Sequence, residues 1–187
     1  DVNRMIQEIA DDFMDYAAQH HIDFRVDCDK ALPDELYADR SIVEKITMNL
    51  LNNAFKYTRE HGSIFVEVKC GKDFHSEYKN SYTVGETNDE VFSIIVRDTG
   101  VGISGESISS VFERFYKVNT VNQDSHLGTG IGLALVKSLV LLHKGSITIY
   151  SERERGTDFI VSLPADSSLF SESDFVKCKD TAAEETI

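Results

Sequence analysis

The sequence predicts a two-layer α/β sandwich, a mixed sheet of about five strands with about three helices on one face. Three observations lead there. Strand-like and helix-like segments follow one another without strict alternation, so the sheet should be mixed. Residues 91–96 (V-F-S-I-I-V) form a near-continuous apolar run, the mark of a strand buried on both faces. The segments of helical period carry one apolar stripe each, which needs a surface to lie against.

Taken in order, Val2, Met5, Ile6, Ile9, Phe13 and Tyr16 or Ala17 recur at helical spacing and make residues 2–19 a packing helix. Ile22, Phe24 and Val26 then alternate with Asp23, Arg25 and Asp27, as a half-buried strand does. Residues 31–34 are a turn. Asp39 or Ser41 can cap the helix that follows, with Ser41 and Glu44 at capping-box spacing. Within that helix, residues 45–58 read K-I-T-M-N-L-L-N-N-A-F-K-Y-T. Ile46, Leu50, Leu51, Ala54 and Phe55 form its core-facing stripe, and Lys45, Asn49, Asn53 and Lys56 share a second face. Asparagine is a poor helix former, so Asn49, Asn52 and Asn53 do not serve helix stability. The plain alternative is a solvated face. An amide-rich face with a lysine one turn on also suits metal and phosphate oxygens.

Residues 59–62 stop this helix and 63–70 read as a strand. Residues 71–90 are polar and too long for an ordinary loop, hence an excursion between two paired strands. Residues 107–116 predict a short helix with Ile108, Val111, Phe112 and Phe115 facing inward. A polar stretch, 117–127, precedes Gly128-Thr129-Gly130-Ile131-Gly132, which opens an apolar helix over 133–143 with Gly145 as its C-terminal cap. Residues 146–151 and 158–163 are strands of a hairpin. From Ala165 the composition suggests an exit linker, giving a domain at 1–164 and a tail at 165–187.

Composition narrows the classes. An apolar fraction of 41% with 27% charged residues fits a globular domain, and no run reaches the ~18 apolar residues of a membrane span. A formal net charge of -13 argues against a nucleic-acid surface, though not against a small anion in a locally amide-lined pocket. Cys28, Cys70 and Cys178 are far apart and form no C-x-x-C, so neither a disulfide framework nor a zinc site is expected. The first residue is Asp1 and not Met, so a piece of a longer chain is expected.

Two glycine clusters carry the chemistry. In residues 97–102, R-D-T-G-V-G, Asp98 ends the buried strand and Gly100 and Gly102 let the backbone come close. A carboxylate in such a place needs a donor, which the exocyclic amino group of adenine can be. Alone, Asp98 is more simply a turn cap. The second cluster opens a helix, where unpaired N–H groups and the dipole favour phosphate. No G-x-x-x-x-G-K-[ST] occurs, and Leu133 stands where a dinucleotide fingerprint needs its third glycine.

The order of motifs decides the weighing. An N-x-x-x-N-A helix with K-Y-T, then D-T-G-V-G after a strand, F-E-R-F-Y-K, G-T-G-I-G-L-A-L-V-K and a G-T-D-F hairpin run along the chain. From about Val2 to Pro164 the chain resembles the catalytic, ATP-binding domain of sensor histidine kinases, in the superfamily shared with gyrase, Hsp90 and MutL. The resemblance implies a Bergerat-type fold that binds ATP and Mg²⁺. Asn53 then matches the asparagine on Mg²⁺, with Asn49 beside it, Lys56 on phosphate and Tyr57 near the ribose or base. Asp98 matches the reader of the adenine amino group, with Gly100, Gly102 and Ile103 around the ring and Thr157 helping through its hydroxyl. Phe112 and Phe115 resemble the aromatic pair anchoring the lid, and Lys117 replaces a frequent arginine. Gly128, Thr129, Gly130, Ile131, Gly132 and Leu133 match the lid hinge and helix entry.

Phosphoryl transfer asks for positioning and charge neutralisation. The expected activity is transfer of the ATP γ-phosphate to a histidine. None of the six histidines, His126 of the expected lid included, lies in the family's H-E-x-x-[NT] context. The resemblance therefore implies a histidine-bearing dimerisation domain upstream, a receiver domain or response regulator downstream, and a cytoplasmic place in a membrane-bound bacterial sensor. It implies no nucleic acid and no direct membrane contact for this segment. Position 49 separates the alternatives. ATPases of the gyrase, Hsp90 and MutL kind resemble this helix but carry a glutamate base there, whereas Asn49 cannot take a proton. A nucleotide-binding interaction module without transfer is the remaining reading.

Overall fold

The computed structural model describes residues 1–29, 32, 36, 38–116 and 130–165. In chain order come α1 (Val2–Gln19), β1 (Asp23–Cys28), α2 (Arg40–Tyr57), β2 (Ser63–Cys70), β3 (Asn80–Val84) and β4 (Val91–Asp98). A 3-10 turn (Ser110–Phe112), α3 (Gly132–Leu142), β5 (Ser146–Glu152) and β6 (Gly156–Pro164) complete the described chain. Asp39 caps α2, its carboxylate accepting from the N–H groups of Ser41 and Ile42, and Asp1 caps α1 in the same way through Arg4.

The strands form one sheet in the order β1-β2-β4-β6-β5-β3, parallel only between β1 and β2. The mixed sheet and the single helical layer are as the sequence predicts. Strand number differs, since the described residues form a sheet of six strands. The addition is β3, inside the excursion, whose only large apolar residues are Tyr82 and Val84 on alternate positions of an edge strand. Alternate residues of every strand meet the helices: Ile64, Val66 and Val68 of β2, Phe92, Ile94 and Val96 of β4, and Phe159, Val161 and Leu163 of β6. Ile6 of α1, Ile46, Leu50 and Leu51 of α2 and Val136 and Val140 of α3 close that core at zero exposure.

The opposite face is covered too, by the excursion. Gly71 donates to the Val91 carbonyl, and the chain then crosses β4, β6 and β5 before pairing as β3 with β5. Phe74 lies over Tyr150 with a centroid separation of 5.7 Å, and the Arg97 guanidinium sits 4.7 Å above the Phe74 ring. Beneath this strap Ser93, Ile95, Asp158, Ile160 and Ser162 are buried. A groove of about 390 Å³ remains beside it, between Phe74, Thr87, Thr148 and Tyr150.

Two local expectations are corrected. The helix expected over 107–116 is only the 3-10 turn, because Glu113 turns extended and Phe115 takes φ 66°, which sends its ring to solvent at 71% exposure. Lys144, and not Gly145, takes the left-handed conformation after α3. Gly145 is required for closeness instead, as a Cβ there would lie 2.6 Å from the Ser162 carbonyl oxygen.

Truncating Leu50 to alanine, in the centre of this core, should cost about 3 kcal/mol with an unchanged denaturant slope in urea unfolding. Leu142→Ala, at a residue 70% exposed, should stay within about 0.5 kcal/mol of the parent.

Candidate functional site

The glycine clusters and the amide face of α2 converge at one end of the sheet. Asp98 is the last residue of β4 and pairs in register with Thr157 of β6, which pairs with Ser151 of β5. All have the parity of the core-facing residues on their strands. Asp98 is only 6% exposed, and its Oδ1 accepts from the Gly100 N–H at 2.8 Å. Burial pushes its carboxyl up to about 7, against the lowering effect of the Gly100 and Thr157 N–H groups, and the charge of Asp158 adds to the rise.

Ser151 is the hub beside it and was not legible as a site residue. Its hydroxyl donates to the Gly156 carbonyl at 2.7 Å and accepts from the Ile103 N–H at 2.8 Å. With that proton committed, Thr157 Oγ1 is the donor across their 2.9 Å contact. The Thr157 oxygen thus keeps lone pairs for a ligand or water. The available signal was a serine at a core-facing position, in line with Ile147 and Ile149.

The loop after β4 is tied to its surroundings by backbone. Val101 donates to the Tyr57 carbonyl at 3.2 Å, and Glu154 donates to the Val101 carbonyl at 2.7 Å. Gly102 has φ 63°, and a Cβ there would sit 2.0 Å from the Glu152 carbonyl oxygen, so no side chain fits.

On α2, Asn49 donates from Nδ2 to the Lys45 carbonyl at 2.7 Å. Its Oδ1 faces the entry of α3, within 2.9 Å of where a Cβ on Gly132 would be. Asn53, one turn on, is half-buried, and no described residue hydrogen-bonds its carboxamide, which leaves an oxygen donor free for a cation. Lys56 Nζ donates to Tyr57 Oη at 3.0 Å and lies 4.6 Å from that ring. Phe112 is buried against Tyr82. Phe115 donates from its N–H to the Gly130 carbonyl at 2.9 Å, so the described ends on either side of 117–129 meet. Ile131 and Leu133 flank Gly132 at the start of α3. Lys117, Gly128 and Thr129, like His126, lie outside the described residues.

Of the sequence-predicted set, Asn49 meets the α3 entry at Gly132, and the backbone of Tyr57 meets the loop holding Asp98, Gly100 and Gly102. Among the described residues of the set, Phe115 stands apart from its expected partner, its side chain exposed where Phe112 is buried. Among the described residues no group of three or more His, Cys, Asp or Glu could hold a metal, so a cation here depends on amide oxygen and ligand atoms.

Comparison with known proteins agrees with this geometry. Residues 38–167 match the family described as histidine kinase-, DNA gyrase B-, and HSP90-like ATPase. The chain is 31% identical over 176 residues to histidine kinase P4 of Formosa agariphila, covering 92% of this chain and 12% of that protein. It is 32% identical to sensor histidine kinase CusS of Escherichia coli, covering 86% of this chain and 29% of CusS. The chain thus spans less than a third of the length of these relatives. Its fold is that of the ThkA histidine kinase catalytic domain (TM-score 0.64, 24% identity, 87% of this chain and 91% of that one). The full-length ShkA crystal structure in complex with AMPPNP superposes with TM-score 0.67 at 23% identity, over 88% of this chain and 30% of that one.

The buried carboxyl makes a pH-dependent prediction. An acid whose folded pKa of about 7 lies above its reference of 3.8 stabilises the fold at low pH, and that contribution is lost as pH rises through about 7. Asp98→Asn should match the parent in stability from urea unfolding only below about pH 3.8, where both the folded and the unfolded parent are protonated. Its advantage grows as pH rises and levels off above about pH 7 at up to about 4 kcal/mol, at about 1.4 kcal/mol per pKa unit.

Proposed function

The chain belongs to the histidine kinase-, DNA gyrase B-, and HSP90-like ATPase family, and we propose that residues 1–164 are the catalytic, ATP-binding module of a sensor histidine kinase. The observation that carries this reading is the buried Asp98–Thr157–Ser151 row beside an α2 face that offers amides and no carboxylate base. In this reading the ionised Asp98 accepts from the adenine amino group, with Thr157 assisting. Lys56 leaves Tyr57 to meet phosphate, and the N–H groups at the entry of α3 hold phosphate oxygens. Asn53 supplies the protein oxygen for Mg²⁺, which when bound would neutralise phosphate charge.

Asn49 separates kinase from ATPase. Its amide is occupied by Lys45 and cannot take a proton from water, so the γ-phosphate is kept for an acceptor imidazole. That imidazole belongs, we infer, to a dimerisation domain on another segment of the same protein, in line with the resemblance to sensor histidine kinases. A receiver domain or response regulator is then the partner that takes the phosphoryl group onward. Dependence on ATP sets this work in the cytoplasm.

Three measurements test the reading. Mg-ATP should bind in calorimetry, and Asp98→Ala should weaken it roughly 10- to 100-fold, the weight of a hydrogen bond to a charged group. Asn53→Ala should remove most of the dependence of affinity on Mg²⁺ while binding of ADP without metal changes little. With labelled ATP, the chain alone should acquire no acid-labile, base-stable phosphate. Fast intrinsic hydrolysis would favour the ATPase alternative, and unchanged affinity in Asp98→Ala would leave only an interaction module.

A further inference from the structure

The strap across the outer face reaches the back of the base end. The Ser76 hydroxyl donates to Asp158 Oδ2 at 2.6 Å, and Tyr78 Oη donates to the Arg155 carbonyl at 3.3 Å. Asp158 pairs in register with Arg97, one step from the Asp98–Thr157 pair and with the opposite facing. Gly156 sits where the two faces meet. A Cβ there would lie 2.0 Å from the Asp98 carbonyl oxygen and 2.7 Å from Tyr78 Oη. The strap, the hairpin and the backbone of Asp98 are therefore in mutual contact.

We propose that the Ser76–Asp158 latch, seated by Phe74 and Tyr78, positions the Asp98 carboxylate from behind, holding the β4–β6 end in place and setting a second carboxylate behind the first. The inference rests on the reading of Asp98 as the adenine acceptor.

Among the described residues the groups around Asp98 are few. From β6 come Thr157 and Asp158, from the strap Tyr78, from α2 the Tyr57 carbonyl at the Gly100 loop, from β5 the Ser151 hydroxyl, and from β2 the apolar Ile64, while Glu77 of the strap acts on Asp158 and Tyr78. Asp158 acts on Asp98 and raises its proton affinity, while Ser76 and Arg97 favour the ionised form of Asp158 against burial. The latch thus does two separable things. Its hydrogen bond holds geometry, and its charge sets the pH at which Asp98 ionises.

The test is the affinity of Mg-AMPPNP across about pH 5.5 to about pH 8.5, where binding needs ionised Asp98 and falls on the acid side. Asp158→Asn keeps an acceptor for Ser76 and removes the charge, so the acid midpoint should move to lower pH with near-parent affinity at the alkaline end. Ser76→Ala should weaken binding about 3- to 10-fold at the alkaline end, the range for one lost hydrogen bond, and also lower the midpoint. Ser76→Thr should restore both. Parent affinity in Ser76→Ala, or an unmoved midpoint in Asp158→Asn, overturns the proposal. Asp98→Ala, run alongside, separates the two readings: if it binds like the parent, the reading of Asp98 itself fails.

Discussion

A carboxyl group buried at the open end of a central strand is the constraint around which this domain is arranged. Water is nearly excluded from Asp98, so its charged form must be met by donors that the fold holds fixed. Two are backbone N–H groups, and both depend on chain geometry that few residues allow. Gly100 must turn back within hydrogen-bond reach, Gly102 must pass against Glu152, and Gly156 must pass against Asp98 itself. Those donors leave the carboxyl still near neutrality, so it gains from any further donor. A site that is short of one donor is suited to a ligand that brings one.

The second wall obeys a different economy. Three asparagines weaken a helix by competing for its backbone, and Asn49 does compete, folding back on the Lys45 carbonyl. The helix persists because Val43, Ile46, Leu50 and Leu51 are buried on its other side, where tertiary packing outweighs propensity. The polar face is then free to be chosen for what it offers. It offers the Asn49 carboxamide to the α3 entry and no base to water, and the closeness of Asn49 makes glycine the residue that fits at position 132.

How far the sequence could be read follows from the physics of each element. Long helices with one stripe, α1 and α2, were legible almost to the residue, because burial imposes a period. The doubly buried strand β4 was legible for the same reason. Residues 107–116 had helical spacing but lacked the length to nucleate, and tertiary contacts left a single 3-10 turn there. Lys144 in a left-handed conformation was hidden by the neighbouring glycine, which serves packing. In the site, Asp98 and the glycines were found through motif order and not through their chemistry alone. Ser151 was missed because its role is to join three backbone and side-chain groups, which appears only once β5, β6 and the 99–103 loop are side by side.

The strap shows the limit most clearly. The apolar run of β4 announced burial on both faces but not what covers the second. The cover is a polar segment holding one phenylalanine, which hides a sheet face through a cation over its ring and hydroxyl donors. That choice has a consequence for the site. An apolar cover would have required an apolar residue at position 158. A hydroxyl-bearing cover allows a carboxylate there, one register step from Asp98 and on the other side of the same two strands. Neither acid could be retained at low dielectric without donors of its own, and the charge of Asp158 raises the proton affinity of Asp98. The outer face of the sheet is therefore part of the electrostatics of the inner one, and the excursion that looked like an interruption in the chain is what joins them.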